Sequence, residues 1–480
     1  MKNQMETRDE ATPQRLRQKR GSSADERSTP PLQLPLSSTT WSTGTSPQPV
    51  ITPRCHQRHR KRANWRRRLL VLPILLLLVV GVAWQGNGPI GATAADLIRA
   101  TLGPTAAAQV ESQYLGASDG LHQLLFRLGI EHASAPWSVA TVQPSVHLSA
   151  PRVAVGGTPA AGAVSSSPFT PAPHLNVGVP PSDPHRPIVI PTPSPPSMSP
   201  SPITPVISPP LAGEGIWTAA SLPAPAPNGS PLVEKAFWRP DPARPYAIVT
   251  YLQFDLRSTR LHMVAGIDQP GGPLGKHGTG RISAGDQQPG VLVAAFNGGF
   301  KYDDGAYGMM VNGTVYVPPV QGTGTIAITR EGKVIIGNWG VDPALSTANT
   351  DLTAWRQNGP LLLDHGVINA LTNNDSAWGK TLDSVHTWRS GVGVTQNGTL
   401  IYASGNAITA KTLAEAFRAA GATAAIQTDI NPYWVRAFTY GRDAAGQLTI
   451  ERLRHSMQGS GWEYLRGDAR DFFYLTRTHG

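Results

Sequence analysis

The chain has 480 residues, 40% of them hydrophobic, with 49 glycines, 45 prolines and a formal net charge of +10. Its first 68 residues hold fifteen basic and five acidic side chains, so the rest of the chain is formally neutral, and a nucleic-acid partner read from the high pI is excluded for it. The single cysteine, Cys55, lies in that basic tail; no disulfide or thiolate metal site is possible beyond it.

Residues 1–68 are polar and close on the basic run Arg54–Arg68, which reads as a disordered cytoplasmic tail. The apolar run Leu69–Trp84 follows at once. With Pro73 in its first turn and Trp65 and Trp84 at its edges, residues 69–88 read as a single transmembrane anchor. The positive-inside bias places the remainder outside the cell membrane. A cleaved signal peptide is the alternative, with Ala92-Thr93-Ala94 shaped like a cleavage site.

Residues 89–135 carry helical spacing (Leu97, Ile98, Leu102, then Leu121, Leu124, Leu125, Leu128) and read as a short helical stalk or an oligomerisation element. Residues 136–212 hold nineteen prolines between Pro144 and Pro210 and read as an extended, disordered spacer. From 213 to 480 the composition becomes that of a folded α+β domain, a mixed, mostly antiparallel sheet with a few helices.

Within that domain, Ala247–Leu256 and Arg260–Ile267 are strand-like. Hairpin turns are predicted at Asn312-Gly313, Glu331-Gly332, His365-Gly366, Asn397-Gly398 and Ala445-Gly446. Thr412 through Glu415 has the form of a capping box. It opens a helix whose stripe is Leu413, Ala416, Phe417 and Ala420, ended by Gly421. Ala424–Thr428 then reads as a buried strand running to Asp429.

Three places have the residue types that chemistry needs. In Asn297-Gly298-Gly299-Phe300 the glycines let backbone N–H groups converge on an anion, or simply make a turn. Arg389, before Gly391-Val392-Gly393-Val394, offers a planar fork suited to phosphate, or a solvated charge. Asp429 ends a buried strand before an irregular loop, a position for a catalytic carboxylate or for a turn residue. No zinc-binding, P-loop or nucleophile-elbow motif is present, and neither a metal nor a cofactor is expected.

The order of these pieces, with Gln357-Asn358-Gly359-Pro360 between the first two and Trp238-Arg239-Pro240-Asp241 near the start, resembles the phosphodiester glycosidase family, the NAGPA-like domain, over roughly residues 230–475. The resemblance implies hydrolysis of a sugar-1-phosphodiester at its glycosidic bond. Asn297, Arg389 and Asp429 would line the site, and Gly298, Gly299 and Gly393 would shape it. Arg389 would bind phosphate, and Asp429 would act as acid/base or stabilise an oxocarbenium-like transition state. Asp303, Asp304, Asp364 and Asp383 are unranked candidates for a second carboxylate.

One departure is evident. The family follows its strand with a glycine-rich loop, and here Ile430-Asn431-Pro432-Tyr433-Trp434 stands instead. This argues against a phosphate nest there, while Tyr433 and Trp434 suit either stacking on a sugar or core packing. A membrane-tethered hydrolase of envelope or extracellular glycans is therefore expected, with a non-catalytic glycan-binding module as the rival. The partners expected are a glycan or sugar phosphate and the membrane; the oligomeric state is left open.

Overall fold

The computed structural model describes residues 101, 103–138, 200–226, 229–373, 377–378 and 385–478. The expected tail, the anchor at 69–88 and most of the spacer lie outside these residues. Among the described residues no helix is long and apolar enough to cross a membrane.

The strands are β1 (Thr218–Ala219), β2 (Val233–Trp238), β3 (Val249–Asp255), β4 (Thr259–Val264), β5 (Leu292–Asn297), β6 (Met309–Val311), β7 (Thr314–Val317), β8 (Gly324–Thr329), β9 (Val334–Asn338), β10 (Leu352–Gln357), β11 (Leu361–Asp364), β12 (Val367–Ile368), β13 (Thr387–Thr395), β14 (Thr399–Ile408), β15 (Ala422–Ile430), β16 (Ala437–Arg442), β17 (Leu448–Arg452) and β18 (Phe472–Arg477). The helices are α1 (Pro104–Arg127), α2 (Ala410–Ala419) and the single turn α3 (Glu463–Arg466).

These strands make three sheets. The largest runs β1-β2-β3-β14-β13-β15-β11-β12, a second runs β7-β6-β10-β8-β9, and a third runs β17-β16-β5-β18-β4. Their central pairings are antiparallel. The largest sheet is buried on both faces. One face carries Leu252, Phe254, Val392, Leu400 and Tyr402 into a core shared with Met263, Val293, Phe296 and Phe473 of the third sheet and Met309, Ile326 and Ile328 of the second. The other carries Tyr251, Ile401 and Ala403 against Leu413 and Phe417 of α2. Apolar residues thus recur on both faces of β3 and β14, interrupted by buried polar residues such as Thr250, Gln253 and Ser404.

The predicted hairpins join successive strands. Asn312 and Gly313 have φ of 49° and 74°, and His365 and Gly366 have 48° and 78°, the double positive φ that a type I′ turn requires. Helix α2 starts earlier than the capping box suggested. Thr409 is its N-cap and accepts from the Thr412 N–H, while Gly421, at φ 83°, follows its C-terminus.

Two boundaries are corrected. The folded domain begins near residue 200, not 213. Ile203 is buried and its N–H donates to the Gly215 carbonyl at 2.8 Å, and Trp238 Nε1 donates to the Thr204 carbonyl at 3.0 Å. Arg239 clamps the segment through a buried pair with Glu214, donating from Nε at 2.9 Å and from Nη2 at 2.8 Å. The helix expected in 89–135 is present as α1, but it is docked on the domain rather than standing clear as a stalk. Asp119 accepts from Arg244 Nη2 at 2.8 Å and from the Tyr246 hydroxyl at 3.0 Å.

Candidate active site

The Asn297-Gly298-Gly299-Phe300 turn leaves β5 where the third sheet meets the end of β15. The Asp429 N–H donates to the Gly298 carbonyl at 2.9 Å, joining the two sheets at that point. Asn297 fills the junction behind it. Its Nδ2 donates to Ser390 Oγ at 3.0 Å and to Thr428 Oγ1 at 3.3 Å, and its Oδ1 accepts from the Tyr402 hydroxyl at 2.9 Å and the Arg436 N–H at 3.1 Å. Asn297 is 5% exposed and its amide is fully bonded, so it holds three strands together.

The N–H groups of the turn do not converge on one anion: each goes to a different acceptor of the chain, and only that of Gly299 reaches a carboxylate. Gly298 donates to the Asp471 carbonyl at 3.0 Å, Gly299 to Asp471 Oδ2 at 3.0 Å, and Phe300 to Asn358 Oδ1 at 2.8 Å. Arg356, fully buried, balances Asp471 from Nε at 2.9 Å. Glycine is required by close approach. A Cβ on Gly298 would lie 2.2 Å from Asp471 Oδ2, and one on Gly299 would lie 2.8 Å from Arg356 Cζ.

Asp429 lies beside this clamp, 5% exposed. Burial is the largest influence on its carboxyl and pushes it up to about 6, with Arg470 opposing and the charges of Asp471 and Asp304 adding to the rise. Arg470 Nη2 donates to Asp429 Oδ2 and also to the Gly299 carbonyl, at 2.9 Å. The second carboxylate oxygen accepts from the Ile430 N–H at 3.0 Å. Trp434 completes the surround, with the Arg470 and Arg436 guanidinium carbons 4.7 and 5.2 Å from its ring centroid and Lys301 Nζ at 5.8 Å. Three cations therefore cluster around one indole next to a buried carboxylate. The ring is partly exposed, and cations lie over it.

In the loop after Asp429 most N–H groups are taken by the chain itself. The Asn431 N–H donates to the Trp388 carbonyl at 2.9 Å, the Tyr433 N–H to Asn431 Oδ1 at 3.0 Å, and Pro432 has none to give. Asn431, not Ile430, takes the positive φ of 78°, which an asparagine tolerates.

Two expected site residues are placed elsewhere. Arg389, expected to grip phosphate directly, is fully buried and donates to the Ile408 carbonyl at 3.2 Å, Gln427 Oε1 at 3.2 Å and the Val385 carbonyl at 3.1 Å. It ties strand ends together, since a guanidinium inside the wall satisfies its donors there. Gly393 sits under α2. A Cβ on it would lie 2.8 Å from Phe417 Cδ1, and one on Gly391 the same distance from Phe417 Cε2. The Gly-Val-Gly-Val pattern makes room for the Phe417 ring.

Among the second-carboxylate candidates, Asp304 acts on Asp429 through its charge. Asp364 sits in the β11–β12 hairpin and accepts from Asn338, at the end of β15 away from Asp429. Asp383 lies outside the described residues. No group of three or more metal-ligating side chains occurs among the described residues.

Sequence reasoning missed Arg470, Asp471, Arg356 and Arg436. Arg470 and Asp471 come from the segment just before the last strand, far along the chain from every motif. The only signal was two adjacent charges, Arg470-Asp471, leading into the apolar run Phe472–Leu475.

The fold and site define an antiparallel β domain with a buried carboxylate–guanidinium pair where two sheets meet. Residues 290–429, from β5 to the end of β15, match the family model described as phosphodiester glycosidase. Among solved structures, the chain is similar to the catalytic domain of zebrafish N-acetylglucosamine-1-phosphodiester alpha-N-acetylglucosaminidase, auto-inhibited by its pro-peptide. Identity is 19% over 55% of this chain and 88% of that chain, with a TM-score of 0.36. It is also similar to a hypothetical protein from Synechocystis, at 12% identity over 48% of this chain and 59% of that one, with a TM-score of 0.27. No curated protein matches the chain.

Proposed function

We propose that the domain hydrolyses a sugar-1-phosphodiester at its glycosidic bond, with Asp429 as the reacting carboxylate. One observation carries this reading: within the family-matched segment, a buried Asp429 is held by Arg470 beside a cluster of cations. Bond breaking at the anomeric carbon leaves positive charge on the sugar and returns the bonding electrons to a phosphate oxygen. A phosphate monoester leaves well without protonation, so the demand falls on the sugar side. There an ionised Asp429 stabilises the oxocarbenium-like transition state, or takes a proton from the attacking water. Arg470, Arg436 and Lys301 place positive charge where the departing phosphate gains negative charge. Arg389 and Asn297 act by fixing the strand ends from which Asp429 projects.

The substrate is expected among envelope or extracellular glycans, with residues 69–88 anchoring the chain and the domain outside the membrane. A binding module without catalysis is the second reading. It is favoured by the loop after Asp429, whose Ile430, Asn431 and Tyr433 N–H groups are consumed internally. Incubation with an aryl-phosphoryl sugar diester tests the choice: release of free sugar that Asp429→Asn abolishes supports hydrolysis, and binding without release supports the module.

A further inference from the structure

A cavity of about 180 Å³ lies between α1 and the domain, lined from the helix by Tyr114, Leu115, Ser118, Asp119 and His122. The domain side contributes His386, Thr387, Trp388, Asn406, Ala407 and Pro432. At ~30 Å³ per water it has room for about six waters, the scale of one sugar ring.

Its lining carries hydrogen-bonding capacity that the protein does not use. Thr387 is 2% exposed and its hydroxyl is buried without a partner, an unfavourable state when nothing answers it. His386 makes no hydrogen bond. Asp119 Oδ2 stands 3.9 Å from its Nδ1, and burial is the largest influence lowering its pKa, so at neutral pH the ring is uncharged with one donor and one acceptor.

The charges in the wall are already matched. Asp119 is taken by Arg244 and Tyr246, and His122 Nδ1 lies 2.8 Å from Glu131 Oε2. Neither an uncompensated cation for an anionic ligand nor an uncompensated anion for a cationic one faces the space. What remains are groups that both give and accept hydrogen bonds, beside the apolar surface of Trp388, Leu115 and Pro432. Hydroxyls on a ring with apolar faces answer that combination.

We propose that this cavity is a binding site for a single neutral sugar ring, formed jointly by α1 and the domain. Pro432 and Trp388 line it, so it adjoins the loop in which the Asn431 N–H is bonded to the Trp388 carbonyl. The site extends the sugar-phosphodiester reading by giving the glycan a second point of attachment. Binding is read here without turnover, so either idea can fail while the other stands.

The test is calorimetry on the full chain with free hexoses and N-acetylhexosamines, with inorganic phosphate as the contrasting probe. Hydrogen exchange of the α1 backbone is measured alongside. The expected result is binding of at least one of these sugars, slower exchange over residues 114–122 when it is present, and no binding of phosphate that the sugar displaces. Thr387→Val is expected to weaken sugar binding about five-fold or more, the loss of one hydrogen bond of ~1 kcal/mol. Ser118→Trp, which fills the space from the helix side, is expected to abolish it and serves if Thr387→Val does not fold. Absence of binding by every sugar, unchanged affinity in Ser118→Trp, or phosphate competing with the sugar overturns the proposal.

Discussion

Arg356 Nε and Asp471 Oδ2 meet at 2.9 Å in the interior, and the same Asp471 oxygen accepts the Gly299 N–H at 3.0 Å. The glycine turn that resembled an anion nest is thus occupied by a carboxylate of the chain itself. Its glycines serve the fit between turn, Asp471 and Arg356. Asp471→Asn should leave a buried guanidinium without its counter-charge, at a cost of roughly 3–5 kcal/mol. Urea denaturation of wild type and variant measures this, and a loss below about 1 kcal/mol would show that the pair does not clamp the turn.

Arg389 separates a structural from a substrate-gripping role. Its donors go to the Ile408 and Val385 carbonyls and to Gln427. Arg389→Lys should therefore lower the melting temperature, because buried acceptors on β14 and β15 lose partners worth about 1–3 kcal/mol each. A variant with unchanged melting temperature and activity reduced ten-fold or more would return Arg389 to direct phosphate contact.

The pH dependence of stability reports on Asp429. Its folded carboxyl, at about 6, lies above the ordinary value of 3.8, so between these values the folded state holds more protons than the unfolded one. The group's contribution is fully present below about pH 4 and is lost as pH rises through about 6. Asp429→Asn removes the titration. The melting temperature of the variant relative to wild type should therefore rise from pH 4 to pH 7 and level off above. A difference that is flat or falls over this range would show that the carboxyl is not raised.

The start of the folded domain is tested by truncation. A chain beginning at residue 217 lacks Glu214 and Ile203, which leaves the buried Arg239 unpaired and uncovers a core position. It should be several kcal/mol less stable than a chain beginning at 200. Equal stability would restore a boundary after 213.

Much of this fold was legible because its signals are local. Asn312-Gly313 specifies a type I′ turn, the β-branched and aromatic residues of Val249–Asp255 specify a strand, and the Leu413, Ala416 and Phe417 spacing specifies α2. The proline-rich boundary was misplaced because prolines between 200 and 210 do not prevent packing, and Arg239 reaches back to hold that segment. Of the residues singled out from the sequence, Asn297, Gly298, Gly299 and Asp429 stand at or just beyond the ends of recognisable strands, and the structure places them side by side. Their partners were not legible, since Arg470 and Asp471 arrive from just before the last strand and Arg356 from the end of β10, and pairing between charges distant in the chain leaves no periodicity. Arg389 and Gly393 were read as site residues because an arginine before alternating glycines looks the same whether it faces a ligand or a helix.

The most direct test of the central claim is the turnover of an aryl-phosphoryl sugar-1-diester by wild type and Asp429→Asn across pH. The account predicts measurable hydrolysis by wild type, with kcat/KM falling as pH drops below about 6, where Asp429 takes up its proton. It predicts a loss of roughly 10²–10⁴ in kcat in the variant, with substrate affinity little changed. Hydrolysis at equal rates by both proteins, or none by wild type on any such diester that it binds, would contradict it.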